Sequence, residues 1–192
     1  MRPAPLLHAA ADVFRALAEI RRPGCLIGAV ALQRWGEPRL TADVDLTVLA
    51  QFGSEGPLID ELLQRFHPRT ANARQFALDR RVLLLTAANG VSIDVSLAAL
   101  PFEEDVLRRA SRWRRVEDVW LDTCSAEDLI IYKLVAARGQ DLVDITGIIH
   151  RQRPTLDVDR IRHWGHQFAE LKEEPDLLRP FEDALRKASQ SP

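Results

Sequence analysis

The chain has 192 residues, 46% of them hydrophobic and 28% charged, with a formal net charge of −2. This composition excludes a disordered or fibrous chain and supplies core for one domain, or one domain with a small helical addition. The charge excludes a global pull towards nucleic acid, and no apolar run approaches the ~18 residues of a membrane span.

Leu6 to Arg21 reads as an amphipathic helix, with Leu7, Ala10, Val13, Phe14 and Leu17 at spacings of three and four. Arg21-Arg22-Pro23-Gly24 ends it, and Cys25-Leu26-Ile27 is a brief buried strand. Gly28 then turns the chain into a helix over 29–36. A glycine there allows close backbone approach, and the N–H groups of a helix start form an anion site. Gly36-Glu37-Pro38 closes that helix, and Arg39 and Thr41 precede a strand whose alternation puts Thr41, Asp43, Asp45 and Thr47 on one face. Val44, Leu46 and Val48 take the other, so one face is expected to be core and the other wet and acidic. Two carboxylates about 5–6 Å apart repel by roughly 3 kcal/mol at an effective dielectric of 20. A soluble strand has no need of that arrangement, whereas a divalent cation does.

A helix around 58–66 follows, introduced by Gly56-Pro57, then two strands over 74–77 and 81–87. Asn89-Gly90 is a hairpin signal, and it joins the second of these to a strand with Ser92, Asp94 and Ser96 on one face and Ile93, Val95 and Leu97 on the other. Asp94 is thus a third carboxylate in the same style as the pair. Such hard oxygen ligands suit Mg²⁺ or Mn²⁺ shared with substrate phosphates. The resulting sheet is expected to be mixed, with helices on one face and the other open for ligand.

A helix over 102–111 and two short strands, 113–116 and 120–121, come next. Arg108, Arg109, Arg112, Arg114 and Arg115 form the densest basic run. It reads either as an edge strand protected by charge or as a patch for RNA phosphates with Trp113 for stacking. Ser125 caps a helix running to about Arg138, with Glu127 and Asp128 on its positive end. Lys133 lies at the margin of its apolar stripe, where a lysine snorkels. Arg138, Asp141 and Asp144 have the spacing of helical salt bridges. Two more helices, 157–171 and 175–188, complete the chain. His163 and His166 are three apart, but no further ligand accompanies them and a solvated or capping role is expected.

Gly28-Ala29, thirteen intervening residues, Asp43-Val44-Asp45 and the later apolar-Asp-apolar strand resemble the DNA polymerase β-like nucleotidyltransferase superfamily. Gly36-x-x-Arg39-x-Thr41-x-Asp43-Val44-Asp45 resembles its stand-alone members, which include toxins of abortive-infection toxin–antitoxin systems. Ser125-x-Glu127-Asp128-Leu129 through Lys133, Arg138, Asp141 and Asp144 fits the helical part of that group, so the resemblance covers roughly residues 8 to 150. The family usually has Gly or Ser where this chain has Ala29, which lets a phosphate approach but supplies no hydroxyl.

The resemblance implies an α/β (α+β) fold with a mixed sheet, helices on one face and C-terminal helices. The expected division is a nucleotidyltransferase core over 1–122 and a helical region over 123–192. The implied activity transfers a nucleoside monophosphate from a nucleoside triphosphate to an acceptor hydroxyl, with Asp43, Asp45 and Asp94 holding Mg²⁺ or Mn²⁺. Gly28, Ala29, Arg39 and Thr41 would lie at the nucleotide, and Lys133 would meet the triphosphate. The acceptor is left open by the resemblance: RNA, a protein side chain or a small molecule all fit, and toxin–antitoxin membership would favour RNA such as the tRNA 3′ end. Toxin–antitoxin membership would add an antitoxin partner. The competing reading is a catalytically silent relative that binds or regulates; Ala29 favours it and the three aspartates oppose it. Two cysteines, Cys25 and Cys124, are few for a disulfide scaffold, and with no charged-then-apolar leader a reducing cytoplasm is expected.

Overall fold

The computed structural model describes residues 5–190. The chain divides into two compact units: one runs up to Val30 and resumes over Leu40–Cys124, the other comprises Ala31–Arg39 and the chain from Ser125 onward. The first holds α1 (Pro5–Glu19), β1 (Gly24–Leu26), the start of α2 (Gly28–Trp35), β2 (Asp43–Leu49), α3 (Gly56–Leu63) and β3 (His67–Pro68). It continues with α4 (Ala73–Arg80), β4 (Val82–Thr86), β5 (Ser92–Ala98), α5 (Pro101–Arg109), β6 (Ser111–Val116) and β7 (Val119–Thr123).

The strands form one mixed seven-stranded sheet in the order β3-β4-β5-β2-β1-β7-β6. β2 runs parallel to β5 and β1 to β7, and the remaining neighbours are antiparallel. The alternation seen in the sequence decides the faces. Val44, Leu46 and Val48 on β2 and Ile93, Val95 and Leu97 on β5 are buried. α1 lies on that face: a Cβ on Gly24 would meet Leu17 Cδ1 at 2.8 Å and Val48 Cγ2 at 3.2 Å. The β4–β5 hairpin turns at Asn89-Gly90, where Gly90 has φ +84° and the Val91 N–H donates to Asn89 Oδ1 at 3.2 Å. Both sheet edges are blunted. β3 is two residues long and contains Pro68, whereas β6 carries Arg112, Arg114 and Arg115 with a register shift between Arg112 and Arg114.

The second unit is built on α6 (Ala126–Ala136), α7 (Gly139–Gln152), α8 (Val158–Lys172) and α9 (Arg179–Gln190). The Asp128 N–H donates to Ser125 Oγ at 3.2 Å, the expected cap. Asp128 itself is wholly buried and accepts from Arg160 Nε of α8 at 2.9 Å. Residues 31–39 join this unit through Gly36, where a Cβ would meet Ile148 Cγ1 at 2.9 Å, and through Gln152, which donates to the Trp35 carbonyl at 3.0 Å.

Three elements depart from the sequence reading. The expected strand 74–77 is the helix α4, because Ala, Arg, Gln and Leu favour helix and Ala77 is buried on it. The helix expected to reach Arg138 stops at Ala136, with Ala137 left-handed at φ 52° and Arg138 opening α7. Finally, the acidic face of β2 is not uniformly wet: Thr47 is fully buried, and its Oγ1 has no partner among the described residues.

Candidate active site

In the first unit, Asp43 and Asp45 stand half-buried on one face of β2. The parallel register with β5 sets Asp45 directly opposite Asp94 and Asp43 opposite Ser92. Residues paired across a sheet share a face, so the three carboxylates gather on one patch. Thr41 fixes the first of them by donating its hydroxyl to Asp43 Oδ1. The second is packed by the turn out of β1. The Ile27 N–H donates to the Asp45 carbonyl at 2.9 Å, and Gly28 then folds over the Asp45 side chain. A Cβ on Gly28 would lie 2.7 Å from Asp45 Cγ, and its φ is +60°, so both the space and the backbone demand glycine. Ala29 follows it, buried in the first turn of α2.

The third carboxylate has a partner that sequence reasoning missed. Arg69, just past β3, donates through Nη2 to Asp94 Oδ1. The Arg69 N–H bonds the Leu84 carbonyl at 3.0 Å, Leu84 pairs with Asp94, and Asp94 pairs with Asp45. Arg69, Leu84, Asp94 and Asp45 therefore form one line, from the residue after β3 across β4, β5 and β2. Burial raises the Asp94 carboxyl from its ordinary value; the Arg69 guanidinium pulls it back, and the charge of Asp43 adds to the rise.

In the second unit the structure joins two other residues named from the sequence. Lys133 is 4% exposed and does not snorkel; its Nζ donates to Asp144 Oδ2 at 2.6 Å and to Asp141 Oδ1 at 3.2 Å. Arg39 Nε donates to the same Asp144 carboxylate at 3.1 Å, and Gln140 Nε2 to its other oxygen at 3.1 Å. Arg138 Nε donates to Asp141 Oδ2 at 2.7 Å. Burial pushes the Asp141 carboxyl up, but the Arg138 hydrogen bond and the Lys133 charge outweigh it and hold the group below its ordinary value.

The donor chemistry of the first unit fits a hard divalent cation: three half-buried carboxylates on two adjacent strands, with Arg69 bound to one. Among the described residues, no three His, Cys, Asp or Glu side chains form a ready cage. A hollow of about 490 Å³ lined by Leu63, Pro68 and residues 71–75 holds none of the acids. Among the described residues, no helix is long and apolar enough to cross a membrane.

No family model matches the chain, and no curated protein does. Solved structures do. An antigenic nucleotidyltransferase-like protein from Paracoccidioides brasiliensis is similar over 94% of both chains, with a TM-score of 0.53 and 14% identity. ANT(2")-Ia, solved in complex with adenylyl-2"-tobramycin, is similar over 87% of this chain and 97% of its own, with a TM-score of 0.51 and 14% identity. The chain has a nucleotidyltransferase-like α/β fold.

Proposed function

We propose that the chain is a metal-dependent nucleotidyltransferase that moves a nucleoside monophosphate from a nucleoside triphosphate to an acceptor hydroxyl. The observation that carries this reading is the Asp45–Asp94 pair, opposite one another on β2 and β5 with Asp43 on the same face. Placing like charges side by side is unfavourable for the empty protein, and a cationic ligand repays it. Asp43, Asp45 and Asp94 would hold Mg²⁺ or Mn²⁺, which when bound neutralises phosphate charge and lowers the acceptor hydroxyl's pKa. The acceptor oxygen bonds to the α-phosphorus as the bridging bond towards the β-phosphate breaks, and pyrophosphate leaves. The hydroxyl proton passes to Asp94, which shares the face of Asp43 and Asp45.

Gly28 and Ala29 open α2, whose first N–H groups are the phosphate site that the resemblance implies, and Ala29 supplies no hydroxyl there. Thr41 holds Asp43 in place. Lys133 and Arg39 are assigned to the nucleotide's phosphates by the resemblance.

The register favours RNA as acceptor. Leu26 pairs with both Leu46 and Thr123, which puts Thr123 and buried Leu121 on the apolar face. Trp120, and the Arg115 that pairs with it, therefore share the face of the aspartates. Arg112 stacks over the Trp120 ring at 5.8 Å, and Trp120 is 43% exposed. Two arginines around an exposed ring match a backbone phosphate and a stacked base.

The test is transfer of label from each α-³²P nucleoside triphosphate, with Mg²⁺ or Mn²⁺, onto total RNA, cell protein and small-molecule hydroxyls. Label on RNA that disappears in Asp43→Ala/Asp45→Ala is the expected result. Label on protein or a small molecule keeps the transferase and replaces the acceptor. RNA binding without transfer to any acceptor supports the silent module instead.

A further inference from the structure

We propose that Arg69 is a positioning residue of the acidic site: it holds Asp94 while no cation is bound, is displaced by the divalent cation, and then turns its guanidinium to the anionic group arriving with it. The inference rests on the metal-dependent reading above. Its observations are geometric. Arg69 is fixed at its backbone by the Leu84 carbonyl, in line with Asp94 and Asp45, and its side chain reaches across β4 to Asp94. The Arg69 side chain is 30% exposed and that of Asp94 32%, so solvent ions reach the pair.

Arg69 makes no other side-chain hydrogen bond or ion pair among the described residues, so its remaining donors have no duty that anchors them elsewhere. An arginine built only to lock the fold uses several donors at once, as Arg81 does by bonding the Ala50 and Leu97 carbonyls as well as Glu55. A single charge-assisted bond to an acid that stands opposite Asp45 is the pattern of a counter-ion that exchanges. Once displaced, the planar guanidinium keeps its fork of donors, which matches a phosphate.

The experiment is Mn²⁺ titration of the nucleotide-free protein, with free Mn²⁺ followed by electron paramagnetic resonance, for wild type, Arg69→Gln, Asp94→Asn and the double variant. Circular dichroism verifies that each is folded. Freeing Asp94 from its ion pair is expected to tighten Mn²⁺ binding about tenfold in Arg69→Gln. That gain is expected to vanish in the Asp94→Asn background, since the two charges act on each other. In steady state with Mg²⁺, Arg69→Gln is expected to raise KM for the triphosphate several-fold more than it lowers kcat, and Arg69→Lys to restore part of it. Wild-type Mn²⁺ binding with no tightening in folded Arg69→Gln overturns the role of Arg69 alone. Mn²⁺ binding by neither protein overturns it together with the metal-dependent reading.

Discussion

Gly28 and Asp45 constrain each other at the shortest range in the candidate site, and the constraint is sharp enough to test. A side chain at Gly28 meets the Asp45 carboxymethyl group and must also occupy φ +60°. The left-handed backbone costs an L-residue roughly 1–2 kcal/mol, before any cost of moving the aspartate. Gly28→Ala is therefore expected to lose about 2–3 kcal/mol in urea denaturation and at least tenfold in transfer rate. The variant Gly90→Ala, also at positive φ but with open space around it, separates the terms: it should lose about 1–2 kcal/mol and keep its activity. Asp94 makes the opposite prediction. Its raised carboxyl means that the ionised form is penalised in the metal-free protein, fully so above the folded pKa and not at all below the unfolded one. Asp94→Asn removes that penalty and forfeits a part-exposed pair with Arg69 that is worth about 1 kcal/mol or less. Thermal unfolding at neutral pH without metal should leave the variant as stable as wild type to within about 1 kcal/mol, or more stable, while transfer falls at least a hundredfold. A clearly less stable Asp94→Asn would show that the acid serves the fold and not a ligand.

At the scale of elements, the legible parts were those whose signal is periodic and local. The two-residue alternation of 43–48 and 92–97 marks β2 and β5 and their faces, and the Asn89-Gly90 turn fixes the β4–β5 hairpin. Pairing between β2 and β5 is a parallel, non-local match that no pattern in either strand encodes, so the sequence offers Asp45 and Asp94 but not their opposition. Arg69 lies 25 residues from Asp94 with no motif around it, and only the line through Leu84 makes it a neighbour. The misread 74–77 segment is short, and a single Phe among polar residues satisfies strand and helix patterns alike. Lys133 looks marginal on α6 alone because its burial is imposed by Asp141 and Asp144 on α7. That network gives its own ranking. Asp144→Leu leaves buried Lys133 with Asp141 as its one carboxylate and takes an anion from beside Arg39, so a loss of about 3 kcal/mol is expected. Lys133→Met keeps the stem's volume and leaves Asp144 with Arg39 and Asp141 with Arg138, so its loss should be smaller. Urea midpoints of the two variants decide it, and a reversed order would mean that the lysine, not the aspartate, is the hub.

For the whole molecule, the same charges determine how the fold responds to acid. A carboxyl whose folded pKa lies below its unfolded one stabilises the fold above the unfolded value and loses that contribution as the pH falls through the folded value. Asp141 is such a group despite its burial, held down by Arg138 and Lys133. So is Glu55, through backbone hydrogen bonds and Arg81, and so is Glu182, through Arg162. Glu182 counts least, because both its side chain and that of Arg162 are about two-fifths exposed and water screens the pair. Asp94 runs the other way and relaxes as it protonates, but one raised carboxyl does not offset the lowered set. Stability is therefore expected to hold at neutral pH and to fall as the pH drops from about 5 towards 2, where the unfolded chain takes up more protons than the folded one. Asp141→Asn removes one of those carboxyls from the balance. It should be less stable than wild type at pH 7, because Lys133 loses a charged partner, and should lose less on going from pH 5 to pH 3. Equal slopes for the two proteins in urea midpoint against pH would show that the Arg138–Asp141–Lys133 cluster does not carry the acid response, leaving Glu55 with Arg81 and Glu182 with Arg162 as its sources.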